Sequence, residues 1–138
     1  MEERKNVIIF KGKEHKEFYL KNLKRCRYQD VYHRALIYSL GIDRDTREHI
    51  DEIYDFHSGY IKTECLYSGW QTSGSKKITR MAFNLYNDGT PSVYDYKDRE
   101  EQMDECRKYS VGDLFCCSYA VFFWQAIKLR YPEYCEAA

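Results

Sequence analysis

From Leu114 to Leu129 the chain is apolar on nearly every side: Leu114, Phe115, Cys117, Val121, Phe122, Phe123, Trp124, Ala126 and Ile127 fall in one stretch. A helix without a polar face has nothing to offer water and belongs in an interior. Ser110 and Asp113 have the spacing of a capped start, and Pro132 limits continuation. At 138 residues the chain is long enough for one core of ordinary size. The stretch therefore predicts a mainly α fold: a single compact bundle of five to six helices around a buried C-terminal helix, with residues 1–138 as one helical domain.

The other segments read as shorter elements around it. Residues 1–12 carry one apolar run, Val7 to Phe10, which suits a short N-terminal strand or an arm lying on the domain. A first helix is expected over about 13–27, with Tyr19, Leu23 and Cys26 on one face, and a second over about 30–40, stopped by Gly41. Asp45-Thr46-Arg47-Glu48 fits a capping box for a third helix over about 46–57. After a loop at 60–75, a fourth helix spans about 76–87. Ser92–Tyr96 suits a short strand, and the charged residues within 90–109 form a loop or an exposed helix.

The best candidate ligand site is the loop that opens the fourth helix. Gly69 and Gly74, with the small residues Thr72, Ser73 and Ser75, let backbone amides approach a ligand, and a helix N-terminus favours an anion. Lys76 and Lys77 add charge, Arg80 lies one turn on, Trp70 offers a stacking face and Gln71 a polar edge. The order is not that of a P-loop, so the pattern indicates an anion or nucleotide-like ligand without naming a reaction. The competing reading of the same residues is an ordinary capped helix with a tryptophan packed inward.

Charge excludes little and favours little. The 22 basic and 22 acidic residues cancel, so nothing draws the whole chain to nucleic acid or an anionic membrane. Lys11, Lys13, Lys16, Lys21, Lys24, Arg25 and Arg27 cluster near the start with Tyr19 and Tyr28, and form the nucleic-acid alternative. The 14 tyrosines suit core edges or interfaces. Six cysteines at 26, 65, 106, 116, 117 and 135 show no C-x-x-C pair and no zinc spacing, and the start MEERKNVIIF is too short in apolar residues for a leader. They read as reduced thiols, and the location as the cytoplasm of a bacterial cell. His33, on a different face from Asp30 and Arg34, reads as a satisfied structural histidine rather than a general base, and in the segment Asp45, Glu48, His49, Asp51, Glu52 and His57 caps explain Asp45 and Glu48 better than a metal face does. Asp30 and Arg34 have the spacing of an ion pair. No cofactor, metal or membrane span is implied.

The blocks YHRALIYSLGI (32–42), IDEIYDF (50–56), GWQTSGSKKITRMAFNLYN (69–87) and DLFCCSYAVFFWQAIKLRYPEYC (113–135) together resemble a small uncharacterised protein family of Firmicutes and of their phages and mobile elements. The resemblance spans roughly residues 14–135 and implies no catalytic residues. What it implies is context: a non-enzymatic inhibitor of a bacterial defence system, partnered either with a host defence protein or with a small anionic ligand that it sequesters. Nucleic-acid binding through the basic N-terminal helix is the alternative.

Overall fold

Ala35 to Leu40 are all completely buried, six residues in succession within one helix. This helix, α2 (Val31–Leu40), is the centre of the molecule. The computed structural model describes residues 7–89 and 98–135. Around α2 pack α1 (Lys13–Leu23), α5 (Ser73–Asn87) and α8 (Ala120–Arg130). α2 can be buried because its polar groups are satisfied in place: Ser39 Oγ donates to the Ala35 carbonyl at 2.7 Å, and the Tyr38 hydroxyl donates to the Ile9 carbonyl at 2.5 Å.

The mainly helical class is as expected, but the central element is not. The run from Leu114 to Leu129 is two helices, α7 (Val111–Phe115) and α8, broken at residues 116–119. Splitting it turns part of the run outward, and α8 leaves Val121 55% and Trp124 47% exposed. Carbonyls freed at the break are taken by the Lys77 ammonium, which donates to Asp113 O at 2.9 Å and Cys116 O at 3.4 Å. Ser110 caps α7 as its spacing predicts, its Oγ accepting from Asp113 N at 3.2 Å.

The third helix is also divided, into α3 (Arg44–Glu48) and α4 (Ile50–Ile53), with His49 between them. Asp43, not Asp45, caps it, accepting from Asp45 N at 3.1 Å. Thr46 instead turns inward and donates to Leu40 O at 2.7 Å, tying α3 to the end of α2. Beyond α4 a single antiparallel bridge joins Tyr54 to Ile61, closed by a turn in which Gly59 has φ +79°. A 3-10 turn (Thr63–Tyr67) leads to α5, and α6 (Arg99–Arg107) precedes α7. The charged segment at 98–108 thus takes its helical alternative, whereas the strand expected at Ser92–Tyr96 lies outside the described residues.

Residues 7–12 form the arm rather than the strand. Ile9 N donates to Gln125 Oε1 at 3.0 Å, and Lys11 N donates to His15 Nδ1 at 3.0 Å. The arm is therefore held by side-chain acceptors on α8 and α1 and by the Tyr38 hydroxyl donor on α2, not by a sheet ladder.

Arg130 is a second knot. At the far end of α8 its guanidinium donates to Leu85 O and to Asp88 Oδ1, both at 2.9 Å, and lies 3.9 Å from the centre of the Tyr32 ring. It thereby satisfies a carbonyl at the end of α5, where Asp88 takes the left-handed conformation with φ 57°.

Candidate functional site

The loop at 69–77 closes on itself as a helix cap. Thr72 Oγ1 accepts from Ser75 N at 3.0 Å while Ser75 Oγ accepts from Thr72 N at 2.7 Å, the reciprocal pair of a capping box. The Ser75 hydroxyl donates to Gln71 Oε1 at 2.5 Å, and Gln71 Nε2 donates to Cys65 O at 3.2 Å and Thr79 Oγ1 at 3.3 Å. Gln71 is a strut between the 3-10 turn and α5. Trp70 stacks face to face on His49, ring centres 4.3 Å apart and planes 3° from parallel. Its buried Nε1 has no acceptor among the described residues.

Gly69 faces open space, Ser73 is exposed, and a Cβ at Gly74 would come within 3.2 Å of the Tyr119 ring. Lys76 is half-buried. Lys77 is tied to the end of α7, and Arg80 pairs with Glu105 across to α6. Of the residues expected to form the cradle, Trp70, Gln71, Lys77 and Arg80 each meet an internal partner, while Gly69, Thr72 and Ser73 face solvent. Replacing Thr72 with alanine is expected to cost about 1 kcal/mol. Calorimetry should then show Tm falling by roughly 3 °C, with Thr72→Ser close to the parent; an unchanged Tm in Thr72→Ala would deny the cap any weight.

A different set of residues converges where α2 begins. Asp30 caps α2, its Oδ1 accepting from His33 N at 3.0 Å and lying 2.7 Å from His33 Nδ1. A carboxylate at Nδ1 holds the ring proton there and turns Nε2 toward the Tyr54 hydroxyl, 3.1 Å away. The Tyr54 and Tyr86 hydroxyls lie 3.3 Å apart, and Tyr86 donates to Gly59 O at 2.6 Å. Partial burial alone would raise the Asp30 carboxyl, but the hydrogen bonds from His33 outweigh it and hold the group below its usual value. Burial, then the Tyr86 contact, pushes the Tyr54 hydroxyl far above the usual phenol value. The expected Asp30–Arg34 ion pair does not form; His33 takes the carboxylate.

These rings wall a cavity of about 210 Å3, lined by Arg27, Tyr28, His33, Tyr54, Phe56, His57, Ser58, Gly59 and Tyr86. The one part legible in the sequence is Asp30 and His33, three apart at a helix start. Tyr54 and Tyr86 join them from distant segments.

On another side of α2, a groove of about 370 Å3 runs between the arm, α1 and α8. Its lining joins Val7, Ile8, Leu129 and Pro132 to Tyr19, Gln125, Arg34 and Lys128, with no carboxylate among the described residues. Released from Asp30, Arg34 makes no ion pair among the described residues, and Lys128 lies 5.9 Å from the centre of the Trp124 ring.

Several of the remaining candidates are occupied by structural contacts. His49 Nδ1 lies 2.8 Å from Asp45 O, and Glu48 pairs with Arg44 at 2.9 Å. Arg25 is bonded to Asn22 and Asp51 and lies over the Phe56 ring, and Lys13 pairs with Glu17, so part of the basic N-terminal cluster is already neutralised. All six cysteines are free, and burial pushes the Cys26 and Cys65 thiols up to about 11 and about 12, far from a reactive thiolate. Among the described residues no group of three metal-ligating side chains converges, and no helix is long and apolar enough to cross a membrane.

No curated protein and no solved structure matches this sequence. A family profile does, across residues 5–138, and so covers α1 to α8 together with both cavities. The chain belongs to that family, a family of unknown function designated DUF6075.

Proposed function

We propose that this protein acts by docking on another protein, through the groove between the arm, α1, α2 and α8, and that its partner presents an acidic segment with apolar side chains. The observation that carries the reading is the pair of cations Arg34 and Lys128, with no carboxylate among the described lining residues, next to exposed apolar side chains. Arg34, Lys128 and Val7, which is 82% exposed, line the groove; Trp124, 47% exposed, has Lys128 5.9 Å from its ring centre, and Ile9, 50% exposed, is bonded through its amide to the lining residue Gln125. Soluble proteins seldom leave such a concentration uncovered. Tryptophan and arginine are the side chains that most often dominate binding energy at interfaces. Two cations in the described lining favour an acidic partner over a basic one.

The biological setting rests on the resemblance of blocks 32–42, 50–56, 69–87 and 113–135 to proteins of Firmicutes, their phages and mobile elements. In that setting the partner is a component of a host defence system, and docking inhibits it. The test uses the tagged protein beside two variants, Trp124→Ala and the charge reversal Arg34→Glu with Lys128→Glu, in lysate of a host carrying a defence system. The expected result is one defence component retained by the parent and lost with both variants, its purified form binding the parent at least tenfold more tightly. Purified components that bind parent and variants equally would refute the groove, and phage plating unaffected by expression of the protein would refute the inhibitory role.

A further inference from the structure

We infer that the aromatic cavity at the start of α2 is a second, separate binding site, which takes the base of a mononucleotide and holds its phosphate at Arg27. The walls are unusual in what they offer. The polar edges of His33, Tyr54 and Tyr86 are spent on one another, on Asp30 and on Gly59 O. His33 and Tyr54 are themselves buried, so the surface left to a guest is that of Tyr28, Phe56 and Tyr86, with His57 and Ser58 as the polar part of the lining. His33 and Tyr86 lie edge to face at 5.3 Å, Tyr54 and Phe56 at 5.0 Å, and Tyr28 stands at the mouth, 61% exposed and 6.4 Å from His33. The hydrogen-bonded chain fixes three of these rings before any ligand arrives, which lowers the ordering cost of binding.

The size decides what enters. At about 210 Å3 the cavity is below the range of pockets that enclose a whole ligand, about 300–1,000 Å3. It admits a flat ring and leaves the rest of the molecule outside. Arg27 lines that outside edge, is exposed, and has no carboxylate partner among the described residues. A guanidinium matches phosphate geometry with paired N–H donors. It also repels a quaternary ammonium, the other guest that aromatic walls suit. Stacking on ring faces is tolerant of base identity, so the four bases should bind within a few-fold of one another.

Titration calorimetry with AMP, GMP, CMP and UMP tests the site, with adenosine, inorganic phosphate and choline beside them. The expected result is saturable binding of the mononucleotides, with adenosine and phosphate each at least tenfold weaker and choline inert. Arg27→Gln should weaken the nucleotides about tenfold and leave adenosine unchanged; Tyr28→Ala should weaken both. Both residues are exposed, so the variants should melt like the parent. The site is refuted by absence of saturable binding at millimolar nucleotide, by phosphate or choline binding as well as AMP, or by affinities that neither substitution moves. The groove variant Arg34→Glu with Lys128→Glu should bind AMP like the parent, which separates this site from the docking surface.

Discussion

Replacing Arg80 with alanine is expected to destabilise the protein by about 3–5 kcal/mol, the loss typical when one partner of a buried ion pair is removed. Arg80 and Glu105 are 12% and 4% exposed, and they meet through two contacts, Nε to Oε1 at 3.2 Å and a second guanidinium nitrogen to Oε2 at 3.5 Å. Without Arg80 the Glu105 carboxylate stays in the interior and loses its two guanidinium contacts, while Lys108 remains at 3.5 Å. The cost lies in a buried charge left with less compensation more than in the lost attraction. The pair also bridges α6 to α5, so α6 should lose protection first. Urea denaturation gives the magnitude, and hydrogen exchange over Arg99–Arg107 gives the location. Replacing both residues with methionine should recover most of the loss, because an apolar pair of similar volume leaves no charge unpaired. A single substitution costing under about 1 kcal/mol, the value of a surface pair, would show that water reaches Glu105 and that the bridge carries little.

The Arg80 bridge also shows why the sequence was a better guide to elements than to sites. The helical face of α5 was legible because Ile78, Met81, Ala82 and Leu85 repeat at helical spacing and all are buried. Arg80 lies between them, and nothing local says whether it turns to solvent, to an anion or to a carboxylate 25 positions away. The same limit hid the centre of the fold. His33, Arg34, Tyr38 and Ser39 make α2 look half polar, yet hydrogen bonds to Asp30, Ile9 O and Ala35 O let three of the four go inside. The C-terminal run misled in the opposite direction: its apolar side chains point several ways because the backbone breaks at 116–119, and part of the excess faces outward beside the proposed docking groove. At the loop before α5 the residue types suited an anion, but the same types build a capping box, and local pattern does not distinguish the two. The aromatic cavity is least legible, since Tyr28, Tyr54 and Tyr86 come together only through tertiary packing.

The second large effect is a pH dependence that runs through His15. Its side chain is 1% exposed, with Nδ1 accepting from Lys11 N at 3.0 Å and Nε2 donating to Tyr38 O at 2.8 Å. Burial is the main cause that lowers its pKa from 6.5 to about 4; the Tyr38 carbonyl opposes this, and the charges of Arg47 and Lys11 add to the lowering. Phe10, Tyr38 and Phe122 supply the rest of its surroundings as rings, and a Cβ on Gly41 would lie 2.6 Å from the imidazole, so no space is left for hydration. The folded value lies below the unfolded one, so between the two the unfolded chain binds the extra proton. The contribution is complete above about pH 6.5 and is lost as pH falls toward about 4. At 1.36 kcal/mol per pKa unit the loss is about 3 kcal/mol. His15→Gln keeps an acceptor for Lys11 N and a donor for Tyr38 O but does not titrate, so denaturation midpoints of that variant should be nearly flat from pH 6.5 to 4.5, where the parent declines. The same slope in both proteins would place the acid sensitivity elsewhere. Protonation fills the lone pair that holds Lys11 N, so the arm should loosen before the helices do, seen as faster exchange at the Ile9 and Lys11 amides. Because Val7 and Ile8 form one wall of the groove, acid should also weaken docking while the helical bundle is still folded.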